Sequence, residues 1–217
     1  QKAPPIGESR DKELLKSASS YTYVTRDGAD LLAHAFFPAE AGGTDRPAVA
    51  LFHGGFWDTP MVTQFVPHCH HFASRGAVAV TFEYRTGSKN GTGPLEAIED
   101  AKAALLWLQE NAELLGIDPK RIVVGGAAGG AFLALHLAMQ KASKDPDANP
   151  RPMAAILFSS LVNTTLKGQL ASRFPDNRSA KAHSPTSLLR RKLPPMLLLH
   201  GKADRVTPFA EVASFCR

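Results

Sequence analysis

The feature that most restricts the fold is the stretch RIVVGGAAGGAFLALHLAMQK, residues 121–141. Its Ile-Val-Val run at 122–124 predicts a buried parallel strand, because it is β-branched and too short for a helix. Four glycines around two alanines then remove most β-carbons over six residues, so the chain can turn sharply there. An apolar run from Phe132 to Met139 follows. The stretch therefore predicts a strand, a tight bend and a buried helix in an α/β fold.

Aligned on Gly125 and Gly129, the glycine stretch resembles the nucleophile elbow G-x-S-x-G of α/β-hydrolases. That resemblance places Ala127 at the position of the attacking serine. A methyl group cannot attack a carbonyl, so we expect no acyl-enzyme through residue 127. The alternative is a phosphate-binding glycine loop of a Rossmann-type fold, but the spacing matches neither G-x-G-x-x-G nor a Walker loop.

A second segment with chemical meaning is HGGFW, residues 53–57, which directly follows the predicted strand Pro47–Phe52. A strand that ends in H-G-G resembles the oxyanion-hole segment of esterase and lipase members of the same family. The resemblance implies oxyanion donors from the backbone at Gly54, Gly55, Phe56 and Ala128, and a substrate pocket lined by Phe56 and Trp57. HGGFW also resembles kynurenine-formamidase-like enzymes, which keeps amide substrates open. A glycine turn with core aromatics is the non-functional alternative.

The third segment is PMLLLHGKADRVTP, residues 195–208, a predicted strand followed by a loop. It resembles the segment that carries the acid of the catalytic triad, which makes Asp204 the candidate to orient and stabilise an imidazolium. An isolated aspartate in a loop is more often a turn or cap residue. Because three segments occur in the family's own order, we favour the catalytic interpretation.

The sequence offers no histidine at the place where this resemblance expects the base, after Asp204. His200 lies too close to the preceding strand, His136 lies inside the helix after the elbow, and only His183 could reach inward. We therefore expect one of two situations. In the first, a serine has been replaced and the histidine lies outside this sequence; in the second, a degenerate hydrolase binds without cleaving. The retained elbow glycines favour the first.

The order of patterns predicts one α/β-hydrolase domain over residues 1–217, with an N-terminal arm (1–20) and a cover insertion (160–192). We expect a mostly parallel, doubly wound sheet with an antiparallel N-terminal hairpin, Tyr21–Thr25 and Leu31–Phe37. The resemblance also implies that the last strand and helix of the family are missing. A free sheet edge of this kind would promote self-association.

Composition argues against several classes of partner. The net charge is +5, but Lys and Arg are interspersed with Asp and Glu, so we expect no nucleic-acid binding. No apolar run is long enough to span a membrane. Cys69 and Cys216 match no metal or redox spacing, and His68 and His71 share a helix face without a matching third ligand, so we expect no metal site. The polar, proline-bearing start favours an exported chain, although a trimmed chain would look the same.

Together these features predict a carboxylic ester hydrolase of the α/β-hydrolase family that uses a Ser-His-Asp acyl-enzyme mechanism, inactive as written, with a small-molecule ester as its substrate. The resemblance implies no cofactor. The alternatives are a non-catalytic binding module on the same fold, or an amidase, formamidase or peptidase. The patterns do not identify the ester or amide.

Overall fold

The computed structural model describes residues 8–40, 43–141, 151–165 and 170–217. Seven strands form one sheet in the order β1-β2-β4-β3-β5-β6-β7. The strands are β1 Ser19–Arg26, β2 Ala29–Phe36, β3 Arg46–Phe52, β4 Val78–Phe82, β5 Ile117–Ala127, β6 Ala154–Phe158 and β7 Met196–Leu199. The α-helices are α1 Glu8–Leu14, α2 Val66–Ala73, α3 Gly87–Asn90, α4 Pro94–Glu110, α5 Ala112–Leu115, α6 Gly129–Ala138, α7 Asn177–Ala182, α8 Pro185–Leu188 and α9 Phe209–Phe215.

The N-terminal strands are antiparallel and the rest of the sheet is parallel. β1 pairs with β2, and β2 with β4, in antiparallel register, whereas β4, β3, β5, β6 and β7 run in one direction. Parallel strands end at the same edge of a sheet, so the segments that follow β3, β5 and β7 meet there. The predicted mixed sheet with its N-terminal hairpin is confirmed.

The sheet carries a hydrophobic cluster on each face. The larger cluster packs α4 and α6 against one face, and Phe132 and Leu135 of α6 are completely buried. The smaller cluster lies under α2 and includes Val66 and Cys69 of that helix together with Leu51 of β3 and Ala79 of β4. Because α6 is buried on all sides, it cannot move without disturbing the core, and this fixes the start of the helix.

A buried ion pair joins the hairpin to α4. The Arg85 guanidinium, just after β4, contacts Asp100 through Nε and Nη2 at 2.8–3.2 Å and Asp27 in the β1–β2 turn at 2.9 Å. Asp100 is fully buried, and the hydrogen bonds that Arg85 donates to the carboxylates of Asp100 and Asp27 raise the pKa of Arg85 above its ordinary range. Arg85 is therefore a brace between elements.

Two elements differ in extent from what the sequence pattern indicates. β5 begins at Ile117 and not at Ile122, since its first residue pairs with Arg46 of β3. The apolar periodicity over residues 95–115 indicates one long helix, but the structure interrupts it at Asn111, where φ is −104° and ψ is 22°. The polar, proline-bearing sequence at 142–151 indicates a loop, and most of it lies outside the described residues. Residues 1–7 of the predicted arm and 166–169 of the cover segment lie outside them as well.

β7 is the last strand at its edge of the described sheet. Its Leu197 and Leu199 are 54% and 44% exposed and point to the same face, beside Ile156 and Phe158 of β6. An apolar strip is thus open to solvent at this edge.

The described parts of the chain contain no helix that is both long and apolar enough to cross a membrane.

Candidate active site

The bend between β5 and α6 has its tip at Ala128 and not at Ala127. Ala128 has φ 49° and ψ −109°, a combination that L-residues avoid, and α6 begins at the next residue. Ala127 is still part of β5: it pairs with Phe158 of β6 and packs in the cluster beneath α2. The position equivalent to the nucleophile is therefore Ala128, and the expectation that it is Ala127 is wrong by one residue.

Packing between two glycines explains this register. A β-carbon on Gly126 would lie 2.4 Å from the carbonyl carbon of Gly130, and one on Gly130 would lie 2.0 Å from the Phe52 carbonyl oxygen. These are the glycines that flank Ala128 at positions −2 and +2, as in G-x-S-x-G. The sequence contains two overlapping frames of this motif, 125–129 and 126–130, and only the close approach of α6 to the end of β3 selects the second.

The HGGFW loop has a strained backbone. Gly55, Phe56 and Trp57 have φ values of 89°, 48° and 62°, three consecutive residues in the left-handed region. For a residue with a β-carbon this conformation costs about 1–2 kcal/mol. We call residues 53–59 the oxyanion loop. A strained loop of this kind persists only where its surroundings hold it in place.

Hydrogen bonds decide which backbone N–H groups in this region remain available. The N–H of Gly54 donates to Oε1 of Gln64 at 2.6 Å, and the N–H of Ala128 donates to the Phe158 carbonyl at 3.0 Å. Two of the four expected oxyanion donors are therefore already engaged. Within the described residues, the N–H groups of Gly55 and Phe56 make no hydrogen bond.

A third candidate donor, which the sequence did not indicate, is the N–H of Gly129. It belongs to the first residue of α6, where a helix has no internal acceptor for its N–H groups. A β-carbon on Gly129 would lie 3.0 Å from Cα and 3.2 Å from N of Phe56, so the two segments are in contact. The helix N-terminus also carries partial positive charge. Gly55, Phe56 and Gly129 together form the candidate oxyanion hole.

The ring of His53, the first residue of the oxyanion loop, and the ring of Tyr84 together support the rest of that loop. Their rings stack with centroids 4.1 Å apart, and the Tyr84 hydroxyl lies 2.9 Å from the carbonyl oxygens of both His53 and Gly54. Burial lowers the pKa of His53 from 6.5 to about 4, although the contact of its Nδ1 with the Gly54 carbonyl raises it. His53 is therefore neutral near pH 7 and acts as a brace.

Of the two aromatic residues expected in the pocket, Phe56 is partly exposed but Trp57 is not. Trp57 is 1% exposed and packs edge-on against Phe132 of α6 and Phe174 of the cover segment, with ring centroids 4.8 and 5.8 Å apart. These edge-on contacts and its burial keep Trp57 out of an open pocket wall, contrary to the expectation. Phe56 remains available to contact a ligand.

Asp204 accepts several hydrogen bonds in the loop after β7. Its carboxylate accepts from the N–H groups of Val206 and Thr207 and from the Thr207 hydroxyl, each at 2.9 Å. Burial works to raise the pKa of Asp204, but the bonds from Thr207 and Val206 outweigh it and hold the pKa below the ordinary 3.8. The carboxylate is therefore ionised near neutral pH.

A short chain of contacts leads from this carboxylate to the bend. The Thr207 hydroxyl, besides its bond to Asp204, lies 3.3 Å from the carbonyl of Ser159. Ser159 follows Phe158, whose carbonyl accepts the N–H of Ala128. The acid and the tip of the bend are thus separated by one hydroxyl and two consecutive carbonyls at the carboxyl edge of the sheet. The segment that carries Asp204 and the bend therefore lie next to each other at this edge.

None of the three histidines considered from sequence is placed as a base. Nε2 of His200 is 3.6 Å from Asp204 but contacts the Thr207 carbonyl at 2.6 Å, inside the loop. His183 contacts the carbonyl of Ser179 and stacks against His136, with ring centroids 6.2 Å apart. His136 lies eight residues along the chain from Ala128, on the body of α6. These positions supply no imidazole between Asp204 and Ala128.

The described residues form no group of three or more His, Cys, Asp or Glu side chains that could hold a metal ion. His68 packs edge-on against Phe65 and Phe158, while the neighbouring His70 packs against Phe36. The histidines of α2 thus contribute to apolar packing. The chemistry that the site can support comes from backbone N–H donors and one carboxylate.

A sharp strand-to-helix bend, a donor loop after β3 and a carboxylate after β7 are the parts of an α/β-hydrolase site. Residues 49–213 match the family described as having an alpha/beta hydrolase fold, and the chain belongs to that family. The matched residues include the oxyanion loop, the bend and Asp204.

Relatives and solved structures are consistent with the esterase and lipase branch. The chain is 28% identical over 200 residues to esterase LipQ of Mycobacterium tuberculosis, covering 82% of this chain and 47% of the relative. It is 31% identical over 160 residues to lipase 2 of a Moraxella species, covering 69% and 35%. A thermophilic esterase structure from Thermogutta terrifontis superposes with a TM-score of 0.83 at 32% identity, covering 93% of this chain and 76% of that one. The chain spans less than half the length of these two curated relatives.

Proposed function

We propose that this chain carries the ester-binding site of a carboxylic ester hydrolase and that, with alanine at the tip of the bend, it binds an ester without cleaving it. The observation that carries this proposal is the conformation of Ala128, a strained tip residue between the free N–H groups of the oxyanion loop and the start of α6. Strain of this kind is typical of functional positions.

In this proposal each part of the site has a separate role. The N–H groups of Gly55, Phe56 and Gly129 donate hydrogen bonds to the ester carbonyl oxygen, and Phe56 contacts the acyl or alcohol group. A serine at position 128 would attack the carbonyl carbon of the ester. The carbonyl oxygen of the ester would then become an oxyanion, held by the same donors. Asp204 would orient and stabilise the imidazolium of a histidine. With a methyl group at position 128 the site can still bind the ester, but the covalent step cannot take place.

The substitution Ala128→Ser tests the site, and Ala127→Ser is its matched control. The two variants add the same hydroxyl to adjacent residues, one at the tip and one in the β5–β6 ladder. We expect a fluorophosphonate probe, with added imidazole as the base, to label Ser only at 128, as detected by intact mass and peptide mapping. An oxyanion hole and binding alone can supply about 10³–10⁴-fold acceleration over water. Absence of labelling in both variants, or labelling at 127 alone, would contradict the proposal.

A binding assay on the unmodified chain separates ester binding from amide binding. We expect a short p-nitrophenyl ester to shift the amide resonances of Gly55 and Phe56 without releasing p-nitrophenol. A formamide or peptide that perturbs these amides while the ester does not would favour the amidase, formamidase or peptidase alternative. If neither ligand perturbs them, the ester-binding proposal fails.

We also propose that the chain self-associates through β7. Exposed Leu197 and Leu199 lie on an edge strand, where unpaired backbone groups can add a strand from another copy. Sedimentation velocity over a range of concentrations tests this, and a monomer at every concentration would rule it out.

A further inference from the structure

The cover segment is bonded to the oxyanion loop by an ion pair. Nη1 of Arg173, in the cover segment, lies 2.7 Å from Oδ1 of Asp58, and the two side chains are 38% and 39% exposed. The next residue, Phe174, is 5% exposed and packs edge-on against Trp57. Two consecutive residues of the cover segment thus contact two consecutive residues of the oxyanion loop.

Asp58 is also held from the opposite side. The N–H of Gly87 donates to the Trp57 carbonyl at 2.8 Å, and the N–H of Ser88 donates to the Asp58 carbonyl at 3.0 Å. A β-carbon on Gly87 would lie 2.8 Å from Oδ1 of Asp58, so the position of this carboxylate depends on the space that the glycine leaves. The carboxylate therefore sits between the loop at 87–88 and Arg173.

Asp58 is in turn bonded to the strained part of its own loop. Its N–H donates to the Gly55 carbonyl at 3.0 Å, and the N–H of Thr59 reaches the same carbonyl at 3.3 Å. When the Gly55 carbonyl is fixed in this way, the peptide plane between Gly55 and Phe56 is fixed as well, because the peptide group is planar. The free N–H of Phe56 belongs to that plane. The orientation of this donor is thus tied to Asp58.

We propose that Arg173 is a positioning residue for the oxyanion hole, acting through Asp58 on the peptide between Gly55 and Phe56. The cover segment then does more than lie over the site: it holds the donor loop in its left-handed conformation. Loss of the Arg173 contact releases Asp58, lets the Gly55–Phe56 peptide rotate and turns a donor away from the ester oxygen. This inference rests on the proposed ester-binding role of those donors.

The first experiment keeps alanine at position 128 and needs no activity. Amide hydrogen exchange by NMR is measured for Asp58, Gly87 and Ser88, whose N–H groups close the loop. We expect Arg173→Ala to accelerate exchange of these amides about three- to fivefold, the size expected for loss of a partly exposed ion pair. Core amides of β5 should keep their rates. Arg178→Ala, which removes the same charge from exposed α7, is the matched control.

Two further variants separate positioning from general destabilisation. Arg173→Lys keeps the charge and should restore most of the protection, and Arg173→Ala combined with Asp58→Ala should exchange no faster than either single variant. Unchanged exchange in Arg173→Ala, or equal acceleration in Arg178→Ala and in the β5 core, would overturn the inference.

A second readout connects the contact to the donors. In the Ala128→Ser background, Arg173→Ala should lower the maximal rate of fluorophosphonate labelling and leave the probe concentration at half-maximal rate nearly unchanged. Normal labelling in this double variant would overturn the positioning role while leaving the ester site intact. No labelling of Ala128→Ser itself would instead contradict the proposed function, and the exchange data would still decide the role of Arg173.

Discussion

The oxyanion loop and the Asp204 loop lie at the same edge of the sheet but differ in how the fold holds them. The first is surrounded by buried groups: its own His53 stacks on Tyr84, and α6 presses against the end of β3. The second follows an edge strand whose Leu197 and Leu199 are exposed, and the bonds to its carboxylate come from its own residues. The fold itself therefore imposes the strained donor geometry, whereas hydrogen bonds within its own turn hold the acid.

The same glycine-to-alanine change on the two sides should give the largest contrast. Gly130→Ala places a methyl group 2.0 Å from the Phe52 carbonyl oxygen, whereas Gly201→Ala, just after β7, meets nothing within 4 Å. We expect Gly130→Ala to lower the free energy of unfolding by about 3 kcal/mol or more, and Gly201→Ala to change it by about 0.5 kcal/mol or less. Urea unfolding measures both. Similar losses would mean that the two sides are held equally.

Lowering the pH should reduce the free energy of unfolding through the buried histidines. Burial lowers the pKa of His53 and of His136 from 6.5 to about 4. Between these values the unfolded chain binds more protons than the folded one, so stability is fully present above pH 6.5 and falls as the pH drops towards 4. A shift of this size corresponds to about 3 kcal/mol for each histidine.

Urea unfolding at a series of pH values between 7 and 4 checks this dependence. His136→Leu removes one of the two titrating groups and should reduce the slope by about half. A flat profile in the unsubstituted chain would contradict the buried, neutral state of both rings.

Replacing the acid should have a moderate effect. Asp204→Asn removes the charge and the acceptor for the Thr207 hydroxyl, and we expect a loss of about 1–2 kcal/mol at pH 7. The low pKa of Asp204 means that its contribution is present above pH 3.8 and is lost as the pH falls further. Asp118→Asn, at a carboxylate that accepts from the Lys120 N–H, is the control and should cost about 0.5 kcal/mol or less. Equal losses would mean that Asp204 is an ordinary turn residue.

The smallest effect on stability is expected at the edge strand. Leu197→Thr and Leu199→Thr should change the free energy of unfolding by about 0.5 kcal/mol or less, since both side chains are exposed. They should nevertheless reduce self-association in sedimentation velocity. Leu198→Thr, on the opposite and partly buried face, is the control: it should lower stability and leave association unchanged. Loss of association with Leu198→Thr alone would place the contact on the other face.

Local patterns were sufficient for most of the fold. The apolar run before HGGFW and the β-branched run before the glycine stretch are strands, and the hairpin forms around the Asp27-Gly28 turn. These elements depend on residues close in sequence, namely turn formers and hydrophobic periodicity. The sequence did not predict helices in the cover segment, because α7 and α8 have too few turns to show a periodic pattern.

The details of the site depended on residues distant in sequence. The side chain of Gln64 accepts a hydrogen bond from the N–H of Gly54, and the carbonyl of Phe158 accepts one from the N–H of Ala128. The ring of Phe174 packs against Trp57 and helps to bury it. No motif contains these partners, so the sequence could identify the donor loop but not which of its donors remain free.

The sequence by itself determined that a donor loop, a glycine bend and an acid follow three strands, and that no hydroxyl is present at 127 or 128. Only the tertiary structure decided that Ala128, rather than Ala127, is the tip. Either pair of glycines could flank the bend, and the choice between them was made where the β-carbon missing from Gly130 lets α6 contact the carbonyl end of β3.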